Sequence, residues 1–348
     1  SSIVQREGRG NSGNVEIEAG SVEVSDGALV RATTFGRGNG GNVIIEADGL
    51  VKFDAGESDI FTGAESDVGA SGVGDVGDVE IRAGSVEVLN DRAGITANIF
   101  GEGDGGSVII EADGLVKLDG GSAASGVGPG VVGNAGSVEI RADSLEVLNG
   151  AQVSSATSGE GDGGSVEIEA GSVEVINGAE ISANTFGRGN GGIVVIEATG
   201  LVKFDAGESD TFTGASSSIQ PDGVGNAGGV EIRAGSVEVL NGAQVASATF
   251  GEGDGGTVVI EATDLVKFDG FLMMDGQPFS SAAVSNVQPG AVGNSGDVRI
   301  TAESVEVLNG AAISAETFGT GDGGIVVIEA TGLVRFDAGD SGSATGVF

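Results

Sequence analysis

The sequence predicts an all-β chain wound as a right-handed parallel β-helix of about eleven coils. Three observations carry this. A module reading roughly Gly-x-Val-x-Ile-x-Ala, then Ser-Val-Glu-Val-x-Asn-Gly-Ala, then Ile-x-Ala-x-Thr-Phe-Gly-x-Gly-Asp-Gly-Gly recurs from end to end. Its copies begin at Asn14, Asn42, Asp78, Ser107, Ser137, Ser165, Ile193, Gly229, Thr257, Asp297 and Ile325, 28 to 40 residues apart. Within each copy, short runs alternate with period two, and every copy has Asn or Asp at the same bend. Repetition at this scale marks a solenoid, whose coils bury their apolar faces by stacking on one another.

Each element follows from local pattern. Val15-Glu16-Ile17-Glu18-Ala19 and Val22-Glu23-Val24 put Val and Ile inward and Glu outward, as half-buried strands do. A third short strand is expected around Leu29 to Ala32, and glycine-rich bends such as Gly36 to Gly41 separate the coils. Three strands and three bends per coil describe a β-helix. A propeller blade needs about four strands, and blades number about four to eight. Right-handed crossovers are the rule for parallel strands. The whole of 1–348 reads as one β-helix domain, and its ends read as those of a fragment or processed part of a longer repeat protein.

Two coil types alternate. Type A, with Val-Glu-Ile-Arg-Ala-Gly-Ser-Val-Glu-Val-Leu-Asn, starts at Asn14, Asp78, Ser137, Ser165, Gly229 and Asp297. Type B, with Val-Ile-Ile-Glu-Ala-x-Gly-Leu-Val-Lys-Phe-Asp, starts at Asn42, Ser107, Ile193, Thr257 and Ile325. In a register counted from the coil starts, one outward column reads Glu18, Glu46, Arg82, Glu111, Arg141, Glu169, Glu197, Arg233, Glu261, Thr301 and Glu329, setting Arg beside Glu. The next is expected to space glutamates with valines: Glu23, Val51, Glu87, Val116, Glu146. At the bend, Asp26, Asp54, Asn90, Asp119, Asn149, Asn177, Asp205, Asn241, Asp269, Asn309 and Asp337 form the expected structural ladder of turn residues. Phe35, Phe100, Phe186, Phe250 and Phe318 of A coils, and Phe53, Phe204, Phe268 and Phe336 of B coils, are expected as core stacks.

Composition removes several functions. With 52 acidic and 15 basic residues the net charge is −37, which repels phosphate backbones, so no nucleic acid partner is expected. The chain has no Cys, His, Tyr or Trp, which excludes disulfides and thiolate or imidazole metal sites. Uniqueness is confined to excursions in B coils, from Glu57 to Gly77, Gly120 to Gly136, Glu208 to Gly228 and Gly270 to Gly296. The last carries Phe271, Leu272, Met273, Met274 and Phe279, a candidate contact loop. The first carries Asp59, Glu65, Asp67 and Asp75, the candidate ligands for a divalent cation, with Ca2+ the ion such oxygens suit. No other cofactor is implied.

Gly-x-Gly-Asp-Gly-Gly, as at Gly101 to Gly106, lacks the Lys-Ser/Thr and helix of a phosphate loop. It also lacks the nine-residue period of a calcium roll. The column Thr34, Thr157, Thr185, Thr249 and Thr317 is interrupted by Ile99, against an ice-binding array. Carbohydrate-active enzymes also use β-helices, and glycoside hydrolysis needs paired carboxylates. Nearly every carboxylate here recurs as a repeat element, so no catalysis is expected.

Asn-Gly-Ala-x-Ile-Ser-Ala-x-Thr-Phe-Gly-x-Gly-Asp-Gly-Gly-x-Val-x-Ile, from Asn309 to Ile328, resembles the repeats of filamentous-haemagglutinin-like exoproteins, abundant in cyanobacteria and exported by two-partner secretion. The resemblance spans Gly13 to Phe348. It implies a β-helix, an outer-membrane transporter as partner, and an extracellular or cell-surface location. The family's Asn-Pro-Asn-Gly-Ile secretion motif does not occur, so the chain corresponds to the stalk. A structural or adhesive rod is the expected role: a surface filament, stalk or matrix component. It would join end to end with copies of itself or continue into a longer chain, and a glycan or other cell-surface ligand is its expected target. A polysaccharide-active enzyme and a divalent-cation-binding matrix protein are the alternatives.

Overall fold

The computed structural model describes residues 1–274 and 276–348. The chain is an all-β parallel solenoid of about a dozen turns. Strands starting at Val15, Val43, Val79, Val108, Val138, Val166, Val194, Val230, Val258, Val298 and Val326 stack in one parallel column, in the register expected from the module. A second column carries the Val-x-Val strands, and in some coils the two run together, as in Val79–Leu89. A third, parallel column runs from Ser2–Val4 through Leu29–Thr34 and Thr62–Glu65 to Gly346–Val347. Ser2–Val4 pairs with Ala32 to Thr34, so the first residues supply the closing third of a coil ahead of the one at Asn14.

Alternation sets the core. Val43, Ile45, Val51 and Phe53 are fully buried, as are their equivalents in the interior coils, in one continuous apolar column, while those of the first and last coils are partly exposed. The A-coil bend, save in the coil at Asp78 where Asn90-Asp91-Arg92 forms a longer turn, is a two-residue turn with both central residues at positive φ: Asp26 at 53° and Gly27 at 84°, closed by Ala28 N–H donating to Ser25 O at 3.0 Å. That is the conformation Asn-Gly and Asp-Gly adopt most readily, which accounts for the recurring Asn-Gly-Ala.

Four expectations are corrected. First, the second column is shifted by one residue: Glu23 stands beside Lys52, and Val22 beside Val51. Each B coil carries one more residue at the kink, where the register slips between Ala47 and Leu50, because inward Val must stack on inward Val. The outward column therefore alternates Glu23, Lys52, Glu87, Lys117, Glu146, without valine spacers.

Second, the bend residues do not occupy equivalent positions. Asp54 registers with Leu89 at a strand end, whereas Asn90 is the left-handed residue beyond it, at φ 73°. Third, Phe100, Phe186, Phe250 and Phe318 are not core: they are 42% to 53% exposed. The preceding Ile99, Thr185 and Thr249 point inward and are fully buried, as is Thr34 before Phe35, so the next side chain faces out. Phe53, Phe204 and Phe268 are fully buried as expected, whereas Phe336 in the last coil is exposed.

Fourth, the B excursions are not continuous loops. Each contains a third-column strand: Thr62–Glu65, Ser122–Val127, Gly214–Ser216 or Ala282–Val284. Extra residues enter at two bends. One precedes the third strand, where Asp54 to Gly63 replaces the shorter Ser25 to Leu29, except in the coil at Ser107, whose Asp119 to Ser122 is short. The other follows it, where Val68 to Val73 replaces Thr34 to Arg37. Pro129, Pro221 and Pro289 lie in that second bend, each followed by a residue at positive φ (Gly130 72°, Asp222 68°, Gly290 88°), the signature of a type II turn.

Candidate functional site

The bend ladder consists of charged pairs. Asn90, Asn149, Asn241 and Asn309 each donate Nδ2–H to the Asp of the preceding B coil, at 2.8, 2.7, 2.8 and 2.8 Å. Where two A coils adjoin, Asn177 donates to Asn149 Oδ1 at 2.8 Å. Each acceptor also meets the cation two residues before it: Lys52 to Asp54 at 2.8 Å, Lys203 to Asp205 at 3.1 Å, Lys267 to Asp269 at 2.9 Å. The Lys52 hydrogen bond and the Gly56 N–H hold Asp54 below the usual carboxylate range. Burial pushes Asp205 up, but Asn241, Lys203 and the Gly207 N–H outweigh it and leave it below that range. These acids are charged and saturated by the chain itself.

A second ladder, which the sequence reading missed, runs through the Gly-x-Gly-Asp/Asn bends. Asn11 accepts from the Asn39 N–H at 2.9 Å, Asn39 from Asp75 at 3.2 Å, Asp75 from Asp104 at 3.1 Å and Asp104 from Asn134 at 2.8 Å. It continues through Asp162, Asn190, Asn226, Asp254 and Asn294 to Asp322. Its signal was the recurrence of Asn or Asp after the second glycine of that motif. The glycines beside it have a steric cause: a Cβ on Gly41, Gly106 or Gly192 would overlap the carbonyl oxygen of the glycine one coil below.

Between the first and second columns the small side chains Ala47, Ala83, Ala142 and Ala198 floor an open axial groove of about 1620 Å3. Its wall is the Glu/Arg column. Arg233 reaches Glu197, Glu231 and Glu261, each at 3.1 Å. Arg82 bridges Glu46 at 3.4 Å and Glu111 at 3.0 Å, and also meets Glu80. Every Arg of the groove is thus held by carboxylates, which leaves no free cation there for a polyanion.

The non-repeated acids lie elsewhere, on the outward face of the third column. Glu65 binds Arg31 Nε at 3.0 Å and accepts from Thr33 at 3.3 Å. Burial pushes the Glu65 carboxyl up against those two partners. Asp67, two residues on, accepts the Asn98 N–H at 2.9 Å, and burial together with the Glu65 charge pushes it up to about 7. Glu180 accepts from Ser216 at 2.8 Å and Asn184 at 3.1 Å, and burial raises it too. Asp59 is instead exposed in the first bend, and Asp75 belongs to the second ladder. The four cation candidates therefore do not converge, and no group of three or more acids placed to hold a metal exists among the described residues.

The candidate contact loop is a hairpin, Phe271–Met274 paired antiparallel with Gln277–Ser280, so that Leu272 faces Phe279. Phe271 lies against the Gly310 turn and Leu272 against the Gly242 turn, while Met273 is 57% exposed. Most of its apolar surface is spent on the rod, over glycine turns that a side chain would obstruct. In the first B coil Ile60 lies beside Gly27 yet stays 64% exposed, and at Gly178 the neighbours are the hydroxyls of Ser209 and Thr211. Against known proteins, the chain matches no family model, no curated protein and no solved structure. Its geometry defines a class: an acidic parallel β-solenoid rod.

Proposed function

We propose that this chain is a non-catalytic rod of the filamentous-haemagglutinin-like kind, acting outside the cell or on its surface as a stalk or filament with an adhesive flank. The observation that carries this is where the polar side chains are used. The repeated Asn, Asp, Glu, Lys and Arg residues bond coil to coil, as in Asn241 to Asp205 and Arg233 to Glu197 and Glu261. Such a surface serves length and stiffness. The unrepeated acids Glu65, Asp67 and Glu180 sit away from the groove and are engaged by Arg31, Asn98, Ser216 and their own strands. A hydrolase would need its acid pair to line the groove that holds the substrate.

The experiment has three parts. The expressed chain should image as single short rods. It should coat beads that then adhere to glycan-bearing surfaces, with adhesion unchanged in a Glu65→Gln/Asp67→Asn variant. It should release no reducing ends from acidic or neutral polysaccharides. Release that disappears in that variant would replace the rod reading with the enzyme reading. Recovery of the full-length product only from the cytosol would refute the surface location.

A further inference from the structure

The bend after the third strand column carries a line of features that the rod does not use. Phe100, Phe186 and Phe250 are about half exposed there, with Phe35 in the same line, and the ring of Phe35 lies against Gly69. Two residues after each Phe comes a second column, paired in register: Arg9, Arg37, Val73, Glu102, Val132, Glu160, Arg188, Val224, Glu252, Val292, Thr320. Among the described residues, Arg37 and Arg188 form no ion pair. Arg9, which stacks on Arg37 in this column, Arg6 and Arg92 are likewise unpaired among the described residues, whereas the other Lys and Arg side chains of the rod pair with carboxylates. On a chain of net charge −37, this edge is where unspent positive charge collects.

The charges are also ordered. Arg37 and Arg188 sit in Gly-Arg-Gly-Asn-Gly-Gly bends, with a neutral ladder residue, and Glu102 and Glu252 sit in Gly-Glu-Gly-Asp-Gly-Gly bends, with an acidic one. Counting coils from Asn14, these two basic bends fall in coils 1 and 6, with a third, at Arg9, one coil ahead, and these acidic bends fall in coils 3 and 8.

From this order we infer that the edge is a self-complementary interface between two copies of the chain, packed antiparallel about a twofold axis between coils 4 and 5. In that register Arg37 meets the second copy's Glu252 and Arg188 meets its Glu102. Phe35 lies opposite Phe250, Phe100 opposite Phe186, and Val73 opposite Val224. Glu160, the remaining acid of this stretch, faces Val132. Symmetry makes each contact twice, as an isologous interface requires. The common coil spacing of about 4.8 Å keeps the columns in step along the contact.

Neighbouring arrangements are less favourable on charge, since each brings like charges together. Sliding the second copy by two coils sets Arg37 on Arg188 in one direction and Glu102 on Glu252 in the other. A parallel pair in register sets every charge on itself, and a parallel pair staggered by two coils makes Arg37–Glu102 and Arg188–Glu252 once each but sets Glu102 on Glu160, against four opposite-charge contacts and no like-charge one in the twofold register. Exposed rings and valines interleaved with paired charges suit a protein interface.

Sedimentation equilibrium of the whole chain from micromolar to several hundred micromolar tests this. A concentration-dependent dimer is expected. Arg188→Glu or Glu102→Arg alone should raise its dissociation constant on the order of tenfold or more, because each creates two like-charge contacts. The double variant Arg188→Glu/Glu102→Arg should return it to within about threefold of the parent. Phe186→Ser, which installs the residue already present at the equivalent Ser158, should weaken the dimer without lowering the melting temperature. The chain has no cysteine, so spin labels can be placed singly. A label at Ser158→Cys should lie close to its twin across the axis, and one at Phe318→Cys should lie on the order of 50 Å from its twin, eleven coils away. A chain that stays monomeric throughout, a dimer indifferent to Arg188→Glu, a double variant no tighter than the singles, or paired labels at 318 would each overturn the proposal.

Discussion

Replacing Asn241 separates the two things a ladder residue does. Its backbone holds φ at 55° as the first central residue of the Leu240 to Ala243 turn, and its Nδ2–H donates to Asp205 at 2.8 Å. Leu in that left-handed conformation costs about 1–2 kcal/mol. The lost hydrogen bond to an exposed, ionised acceptor costs about 0.5–1.5 kcal/mol. Asn241→Leu should therefore destabilise by about 2–3 kcal/mol, and Asn241→Gly, which keeps the turn, by little more than the hydrogen bond. At roughly 2 °C per kcal/mol for a chain of this size, the melting point should fall about 4–6 °C for Leu and about 1–3 °C for Gly. Asn241→Asp keeps the turn but sets a carboxylate against Asp205, so its deficit should exceed that of Gly at neutral pH and close as both acids are protonated in acid. Thermal melts of the three variants at two pH values, with hydrogen exchange over coils 7 to 9, give the readout. Equal losses for Leu and Gly would remove the conformational term, and unchanged melting in all three would end the claim that the ladder is structural.

Three further outcomes are expected. Asp67, raised to about 7 by burial and the Glu65 charge, titrates well above its unfolded value of about 3.9. The folded chain therefore binds the extra proton between those values, and this site erodes stability as pH rises through that window. Asp67→Asn should match the parent near pH 4 and exceed it by on the order of 2–4 kcal/mol above pH 8, by denaturant titration; a constant difference across pH would contradict the burial argument. Gly192→Ala forces a Cβ into the Gly164 carbonyl oxygen at ordinary backbone φ and should cost about 3 kcal/mol or more, whereas Gly20→Ala, with nothing near its Cβ, should be close to neutral; equal melts would mean the coils separate freely. Arg233→Ala leaves Glu197 and Glu261 flanking an empty rung; its loss should stay near 1 kcal/mol in low salt and shrink in high salt, and a salt-independent loss would point to packing instead.

The coil, its three strands and the Glu/Arg column were legible because alternation of period two and a recurring motif report directly on stacking. What failed did so at bends. Register past Ala47 could not be counted from the coil start, since one added residue at the kink moves every later side chain, and only the pairing of Val22 with Val51 reveals it. Phe35 followed the inward Thr34 in sequence, and reading it as core treated apolarity as burial where alternation had already set its direction. The Asn/Asp ladder at the first bend was visible as composition, but its donors and acceptors come from two offset positions. The glycine-rich motif was judged against nucleotide and calcium sites, while its role lies in backbone approach between coils. The candidate cation loop dissolved because Glu65 belongs to a strand, Asp75 to a ladder and Asp59 to a surface turn, a partition that spacing in sequence does not encode.

The alternation of coil types has a physical consequence for where recognition can occur. Parallel stacking repeats each outward position about every 4.8 Å, so a single coil type carrying Glu at an outward site would build a column of like charges. Interleaving B coils sets Lys52 beside Glu23 and Glu87, and Glu111 between Arg82 and Arg141. Where the alternation lapses between coils 5 and 6, Glu139 stacks on Glu167 and Glu146 on Glu174. Like charges also meet at Glu18 on Glu46 and Glu169 on Glu197, so acids outnumber bases in the first column, but every cation of the first two columns is engaged by carboxylates and none is left free for a partner. The third column and the bend after it escape this rule. There the B coils differ in length, the outward residues differ from coil to coil, and Arg37 and Arg188 remain unpaired beside exposed rings. Specific contacts, with a surface or with a second rod, require such unsatisfied groups, and on this rod they are gathered along that side.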